Sequence, residues 1–339
     1  MRNDSRTLRQ ITTLCWAAVL VLAWGQALSA ESRVPLLSDA EAWQRLPKAD
    51  EGGGGRLPVW ARALAAGLPR TTAAMLELDW QHRVASPLDQ TLRGKLRWTV
   101  AHANQCDYSM AYAAADLVRV GLDQEQIASL DQFEESTERA ALAFARKLTL
   151  DGSAVTDDEV AIVKELYGDK QLVAIVLLVA YANFQDRLVL ALGLEVEPDG
   201  PLPPLEVRFS MKSDTESAEV PARTLPAENP NEGTSPNVAD FDWLSAEFDD
   251  LQEKLEAQRC RPPRIAVPIW EEVRELLPPG PEREQPLGIL WSLVCIGYQP
   301  ELARGWSACT RGFREEAKQS LVFEQSLFWV ITRSIDCFY

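Results

Sequence analysis

Two of the six cysteines, Cys106 and Cys337, sit in similar surroundings 231 residues apart. The first lies in A-H-A-N-Q-C-D-Y-S, residues 101–109, the second in R-S-I-D-C-F-Y, residues 333–339, and each is followed two residues on by a tyrosine, Tyr108 or Tyr339. Cys106 stands between a helix that Asn104 interrupts and a run from Met110 to Val118 that reads as a new helix. A thiol placed there faces unpaired helix amides and the positive end of the helix dipole, which lower its pKa and supply thiolate near neutral pH. Thiolate is the species that attacks a peroxide or a disulfide. His102, four residues before Cys106, is a candidate base if the helix persists, although the break at Asn104 works against that pairing and favours a plain solvent-exposed helix residue. His82, the other histidine, falls mid-helix on an apolar face and reads as structural. Two histidines without a Cys or acidic cluster at ligand spacing lead us to expect no metal site.

The same offset pairs Arg33 with Arg264, Glu41 with Glu272, Leu46-Pro47 with Leu277-Pro278, Trp60 with Trp291, Pro69 with Pro300, Arg83 with Arg314, Leu96 with Leu327 and Trp98 with Trp329. One ungapped alignment thus runs from Arg33 to Tyr108. Solenoid repeats recur every ~20–50 residues, so a period this long implies copies of a whole domain. The chain reads as a signal segment 1–30, a first helical unit 31–197, a Pro-rich linker 198–238 and part of a second unit 239–339.

The elements that would position the cysteines are helical, and the fold class is all-α. Ser38 with Glu41, Asp123 with Gln126 and Thr156 with Glu159 are capping boxes. Apolar residues recur at helical spacing from Pro58 to Leu68 and from Thr71 to Val84, and the pattern resumes at Leu92, Leu96 and Val100. Gly121 and Gly168 read as helix stops, and Lys170 to Leu192 as a long helix. Its run Leu172–Ala182 is too short to span a bilayer and fits a buried helix. Gly52 to Gly55 reads as a flexible break. No strand is expected before Pro198; after it, Leu205, Val207, Phe209 and Met211 alternate weakly, enough for one short strand. Phe241 to Ala257 reads as an acidic amphipathic helix.

Composition narrows the function classes. A net charge of −16 lacks the basic face that phosphate backbones require, so nucleic acid is not an expected partner. Arg2, Arg6 and Arg9, the apolar run from Leu14 to Trp24 and the small residues Gly25, Ala27, Ser29 and Ala30 have the layout of a secretory signal, with an uncleaved anchor as the alternative. The expected location is therefore exported, periplasmic or extracellular, with no membrane span after signal removal. Removing Cys15 with the signal leaves five cysteines, an odd number that in an oxidising compartment implies a free thiol. Cys295 and Cys309 align with Leu64 and Leu78 and read as buried, inert thiols, whereas Cys260 borders the linker with no clear partner.

At these residues the chain resembles the alkyl hydroperoxidase D-like, or carboxymuconolactone decarboxylase, family of all-helical redox proteins. That family carries Glu, eleven residues, then Cys-x-x-Cys-x-x-x-His. N-Q-C-D-Y-S matches at Asn104, Cys106 and Tyr108, followed by A-D-L-V-R-V-G-L around Gly121, A-L-A-F-A-R-K-L-T ending at Thr149, and the Asn183 and Arg187 pair. The resemblance covers roughly residues 57–193. It places the family's second Cys on Ser109, its His on Ala113 and its Glu on Gly94, so three of four functional positions are replaced. In the second copy Cys337 is retained, Gln325 takes the Glu position and Glu324 stands beside it.

What the resemblance implies is a peroxidase- or peroxiredoxin-type antioxidant oxidoreductase. It would reduce a hydroperoxide or disulfide substrate, draw on a thiol reductant and assemble as a homo-oligomer. The candidate catalytic residues are Cys337, Cys106, Glu324 and His102, with Ser109 in the place of the second Cys. No cofactor is expected beyond a selenocysteine at the position after Tyr339, which would complete Cys337-x-x-selenocysteine; a frameshift or a true remnant are the alternatives to that reading. The other functional classes are a lactone decarboxylase, which the missing His and Glu disfavour, and a non-catalytic helical interaction module.

Overall fold

The computed structural model describes residues 32–130, 138–210, 248–280, 283–335 and 337. The expected signal 1–30 and the linker residues 211–238 lie outside the described residues, as does the start of the helix expected from Phe241. Thirteen α-helices and one two-stranded sheet make up the described chain. The first unit contains α1 (Asp39–Arg45), β1 (Ala49–Glu51), α2 (Val59–Leu64), α3 (Pro69–Trp80) with a π-helical turn at Gln81–Ala85, and α4 (Gln90–Ala103). It continues through α5 (Asp107–Arg119), α6 (Gln124–Ala128), α7 (Arg139–Leu150), α8 (Asp157–Leu192) and β2 (Arg208–Phe209). Then follow α9 (Phe248–Cys260), α10 (Trp270–Leu276), α11 (Leu290–Tyr298), α12 (Pro300–Glu316) and α13 (Leu321–Ser334).

Local chemistry sets most of these boundaries. All three expected capping boxes form, at the starts of α1, α6 and α8. Gly168, at φ 73°, breaks the helical path inside α8, and Gly193 ends that helix in the left-handed conformation. By length and composition α8 could cross a membrane. In this fold, however, Leu172, Ile175, Leu178 and Tyr181 are buried among α4, α7 and the residues around α3.

Two expectations about the chain's irregular parts are corrected. Ala49–Glu51 does form a strand, pairing antiparallel with Arg208–Phe209. Gly52 is fixed as part of that turn: at φ 74°, a Cβ there would sit 2.0 Å from the Glu206 carbonyl oxygen. The sheet therefore depends on a close backbone approach, which only glycine permits. The beginning of the expected linker accordingly belongs to the first unit. Leu202, Val207 and Phe209 are buried in its main core, and the Leu202 carbonyl accepts from Arg83 at 3.1 Å.

The later helices recur at the offset read from the sequence. α10 begins and ends 231 residues after α1, α13 does so after α4, and α12 spans the counterparts of α3 and its π turn together. The most extensive helix pairing in the molecule joins α3 to α12. It is antiparallel, with Leu78 against Gly305 and Thr71 against Gly312. The stripe on α12, Leu302, Gly305, Cys309 and Gly312, stands at the positions equivalent to Thr71, Ala74, Leu78 and Gln81 on α3. Each helix thus offers its partner the same face, the geometry of a two-fold contact. The two glycines allow the approach: a Cβ on Gly312 would lie 3.0 Å from the Thr71 amide nitrogen. Glu316 then caps α3, which has no side-chain cap of its own, accepting from the Arg70 and Thr71 amides at 2.6 and 2.9 Å.

A buried charge network braces the first unit. Arg83 donates to Asp116 through two 2.8 Å bonds and to Asp79 at 3.2 Å. Arg97 joins Asp116 at 3.0 Å, and the Tyr181 hydroxyl donates to Asp79 at 2.9 Å. These contacts tie together α3, its π turn, α4, α5 and α8.

Candidate functional site

Cys106 lies in a turn whose shape the backbone fixes. α4 ends at Asn104, Gln105 takes the left-handed conformation at φ 55°, and the Cys106 amide donates back to the Ala101 carbonyl at 2.9 Å. With the Gln105 amide on the His102 carbonyl at 3.1 Å, this is a Schellman motif. Cys106 also occupies the N-cap of α5, so the chain reverses from one helix end to the next helix start at the sulfur. The Cys337 amide donates to the Thr332 carbonyl at 2.9 Å, the same bond at the end of α13.

The two sulfurs differ in their surroundings. Cys337 is exposed, whereas Cys106 has 0% exposure. Burial pushes the Cys106 thiol pKa up, and the neighbouring Asp186 and Asp107 charges add to that, against an opposing contribution from Ser109. The lowered pKa expected from the helix start is therefore corrected: loss of solvation around the sulfur outweighs the helix terminus.

Ser109, where the resemblance would put a second Cys, is buried with its Oγ 3.5 Å from the Cys106 sulfur. His102 does not fill the expected role of base beside the sulfur. Its half-buried ring stacks on Trp98 one turn back, with centroids 4.9 Å apart, following the N-terminal lean of helical side chains. Glu324 is half-buried on α13, three turns before Cys337. The structure thus brings Ser109 to Cys106 and stacks His102 on Trp98, with Glu324 on α13 and Cys337 just past its end.

Packing accounts for the residues at the positions where the resemblance would put Glu and His. A Cβ on Gly94 would stand 2.6 Å from Leu117 Cδ2, so the space where the resemblance would put a Glu side chain is filled from α5. Ala113, at the His position, is fully buried with Trp98, Leu117, Ile127 and Leu130. Both positions are apolar packing between α4, α5 and α6.

An acidic residue approaches the sulfur through its backbone, and sequence reasoning missed it. Asp186 on α8 is fully buried, its backbone oxygen 4.0 Å from the Cys106 sulfur. The Asn104 amide donates to Asp186 Oδ2 at 2.8 Å and to Asn183 Oδ1 at 3.0 Å, and Asn183 donates to Thr149 Oγ1 at 3.1 Å. Asp186 Oδ1 is buried without a hydrogen bond of its own. Burial raises the Asp186 pKa, while Asn104, Ser109, Arg97 and Cys106 partly offset it. The available signal was an acidic residue on the buried face of an otherwise apolar helix, 80 residues from the cysteine.

Of the two thiols expected to be buried, Cys309 is buried and Cys295 is only partly so. Burial pushes Cys309 up to about 12 and Cys295 up to about 11. Cys260 is exposed, and all five described cysteines are free thiols. Among the described residues no group of three or more His, Cys, Asp or Glu is placed to hold a metal ion. No protein-family model matches the chain, and no curated protein matches it.

Proposed function

We propose that this chain is an exported thiol oxidoreductase that reduces hydroperoxides, built from one helical unit of the alkyl hydroperoxidase D-like kind and the first helices of a second copy. The observation that carries this reading is the shared turn. Cys106 and Cys337, 231 residues apart, each donate the backbone N–H to the carbonyl five residues back, at the ends of helices related by the same offset. In the first copy that turn sets the sulfur against Ser109 Oγ and the Asp186 backbone carbonyl. In the second it leaves the sulfur exposed, where an external thiol can reach it.

The chemistry is attack of sulfur on a peroxide oxygen to give a sulfenic acid. Because Ser109 replaces the second cysteine, no disulfide can close within the Cys106 motif, and a separate thiol must return the sulfenic acid to thiol. Peroxide consumption by the full-length chain, with a small dithiol as reductant, tests this. Activity in the parent that falls in Cys106→Ser or Cys337→Ser supports the reading and names the sulfur; no consumption by the parent overturns it. One observation favours a second reading: the burial of Cys106 suits a non-catalytic helical module. Parent protein that leaves peroxide untouched yet keeps its fold would favour that module.

A further inference from the structure

The antiparallel pairing of α3 with α12 is close to two-fold in its packed stripe but not in its charges. Under the 231-residue offset Glu315 and Glu316 correspond to Val84 and Ala85, Glu301 to Arg70 and Gly312 to Gln81. The acids meet the start of α3. Glu316 accepts from the Arg70 amide at 2.6 Å, from the Thr71 amide at 2.9 Å and from the Thr71 hydroxyl at 2.7 Å, and Glu315 pairs with the Arg70 guanidinium at 2.8 Å. The partly exposed Arg70–Glu315 pair contributes little by itself. Glu316 carries more, because it brings a charged acceptor to the positive end of a helix whose N-cap, Leu68, offers no side-chain bond.

Neither like pairing would keep these contacts. If α3 met α3 of another molecule in the same geometry, Arg70 would face Val84, and the Thr71 amide would face Ala85 with no acceptor. Gln81 would also stand in place of Gly312, where a Cβ lies 3.0 Å from that amide nitrogen. If α12 met α12, Glu315 would face Glu301, a like charge. We propose that Glu315 and Glu316 select α12 of the same chain as the partner of α3 and so close the α3 face to a second copy of this chain. Selection is a difference of affinities, and the same two side chains supply both the attraction in one pairing and its loss or reversal in the others. The inference stands on the helix pairing and is independent of the peroxidase reading.

Cys309 supplies the readout. It is a free, buried thiol on the stripe of α12 that meets α3, so an alkylating reagent reaches it when the two helices part. Cys106, fully buried within the first unit, reports unfolding of that unit instead. The experiment follows alkylation of both thiols in the folded full-length chain, located by peptide mass. Glu316→Ala should raise the Cys309 rate on the order of ten-fold and leave the Cys106 rate unchanged. Arg70→Glu should raise it as well, and Arg70→Glu combined with Glu315→Arg should bring it back towards the parent rate, a rescue that a general loss of stability does not give. A parent-like Cys309 rate in Glu316→Ala, or a double charge reversal no slower than Arg70→Glu alone, would overturn the role of the acids. If Glu316→Ala unfolds the first unit, seen as Cys106 and Cys309 rising together, the charge-reversal pair still decides, because it retains Glu316. Sedimentation velocity tests the closure to a second copy: Glu315→Val with Glu316→Ala, the residues found at 84 and 85, should form more dimer than the parent at equal concentration, and a dimer fraction equal to the parent's would overturn that closure.

Discussion

His82 shows how one buried side chain sets a pH response for the whole fold. It has 0% exposure in the π-helical turn, and its ring stacks on Tyr181 with centroids 4.5 Å apart. Neither ring nitrogen has a hydrogen-bond partner. Burial, and secondarily the Arg97 charge, lowers its pKa to about 3. As pH falls below the ordinary histidine value of about 6.5, the unfolded chain takes up a proton that the folded chain refuses until about pH 3. Stability therefore drops through that window, by up to about 1.4 kcal/mol per pH unit from this residue alone. His82→Phe retains a ring against Tyr181 and removes the titration. Denaturant unfolding from pH 7 to pH 4 should show the parent losing ground steadily against His82→Phe, and a constant difference between them would show that His82 is not held neutral. Asp79, Arg83 and Asp116 remain paired in both proteins, so their contribution cancels in the comparison.

Between helices, the pairing of α4 with α5 decides which chemistry the site can host. Gly94→Glu would introduce the acid that the resemblance puts at this position, but its Cβ meets Leu117 Cδ2 at 2.6 Å inside a closed cluster. Overpacking costs about 1–3 kcal/mol and an unpaired buried carboxylate several more, so thermal unfolding should show a large loss of stability and no gain in peroxide turnover. Adding Leu117→Ala should recover the steric part, and a stable, more active single variant would refute this account. The same element pair shows what a sequence reveals. Capping boxes at Ser38, Asp123 and Thr156 were legible because a helix start is written within four residues, and the 231-residue offset because it compares like with like. The β1–β2 pair was not, because two or three strand residues and the approach of Gly52 to Glu206 come from segments far apart. The thiol's raised pKa was missed for the same reason: its cause is the burial created by α8, which no local reading of residues 101–113 contains.

For the molecule as a whole, helices related by the 231-residue offset differ most in what covers them. α4 is packed by α5, α7 and α8, while its counterpart α13 has no buried residue. Leu321, Phe323, Leu327, Ile331 and Ile335 are each about half exposed, and Phe328 is 64% exposed. Apolar surface of this extent on one helix marks a contact region. Covering the exposed half of six such side chains contributes about 4–9 kcal/mol at roughly 1.5–3 kcal/mol for a full side chain. Association costs about 4–15 kcal/mol in lost freedom, so α13 alone supports only a weak contact, visible as concentration-dependent self-association rather than a fixed oligomer. Sedimentation velocity across a dilution series should show that equilibrium, and Leu321→Glu with Phe328→Glu should shift it to the monomer. The thermal midpoint should hardly move, because neither side chain packs against the folded core. A double variant that associates like the parent would place the contact on another face; a variant that unfolds early would mean that α13 is packed more closely than its exposure indicates.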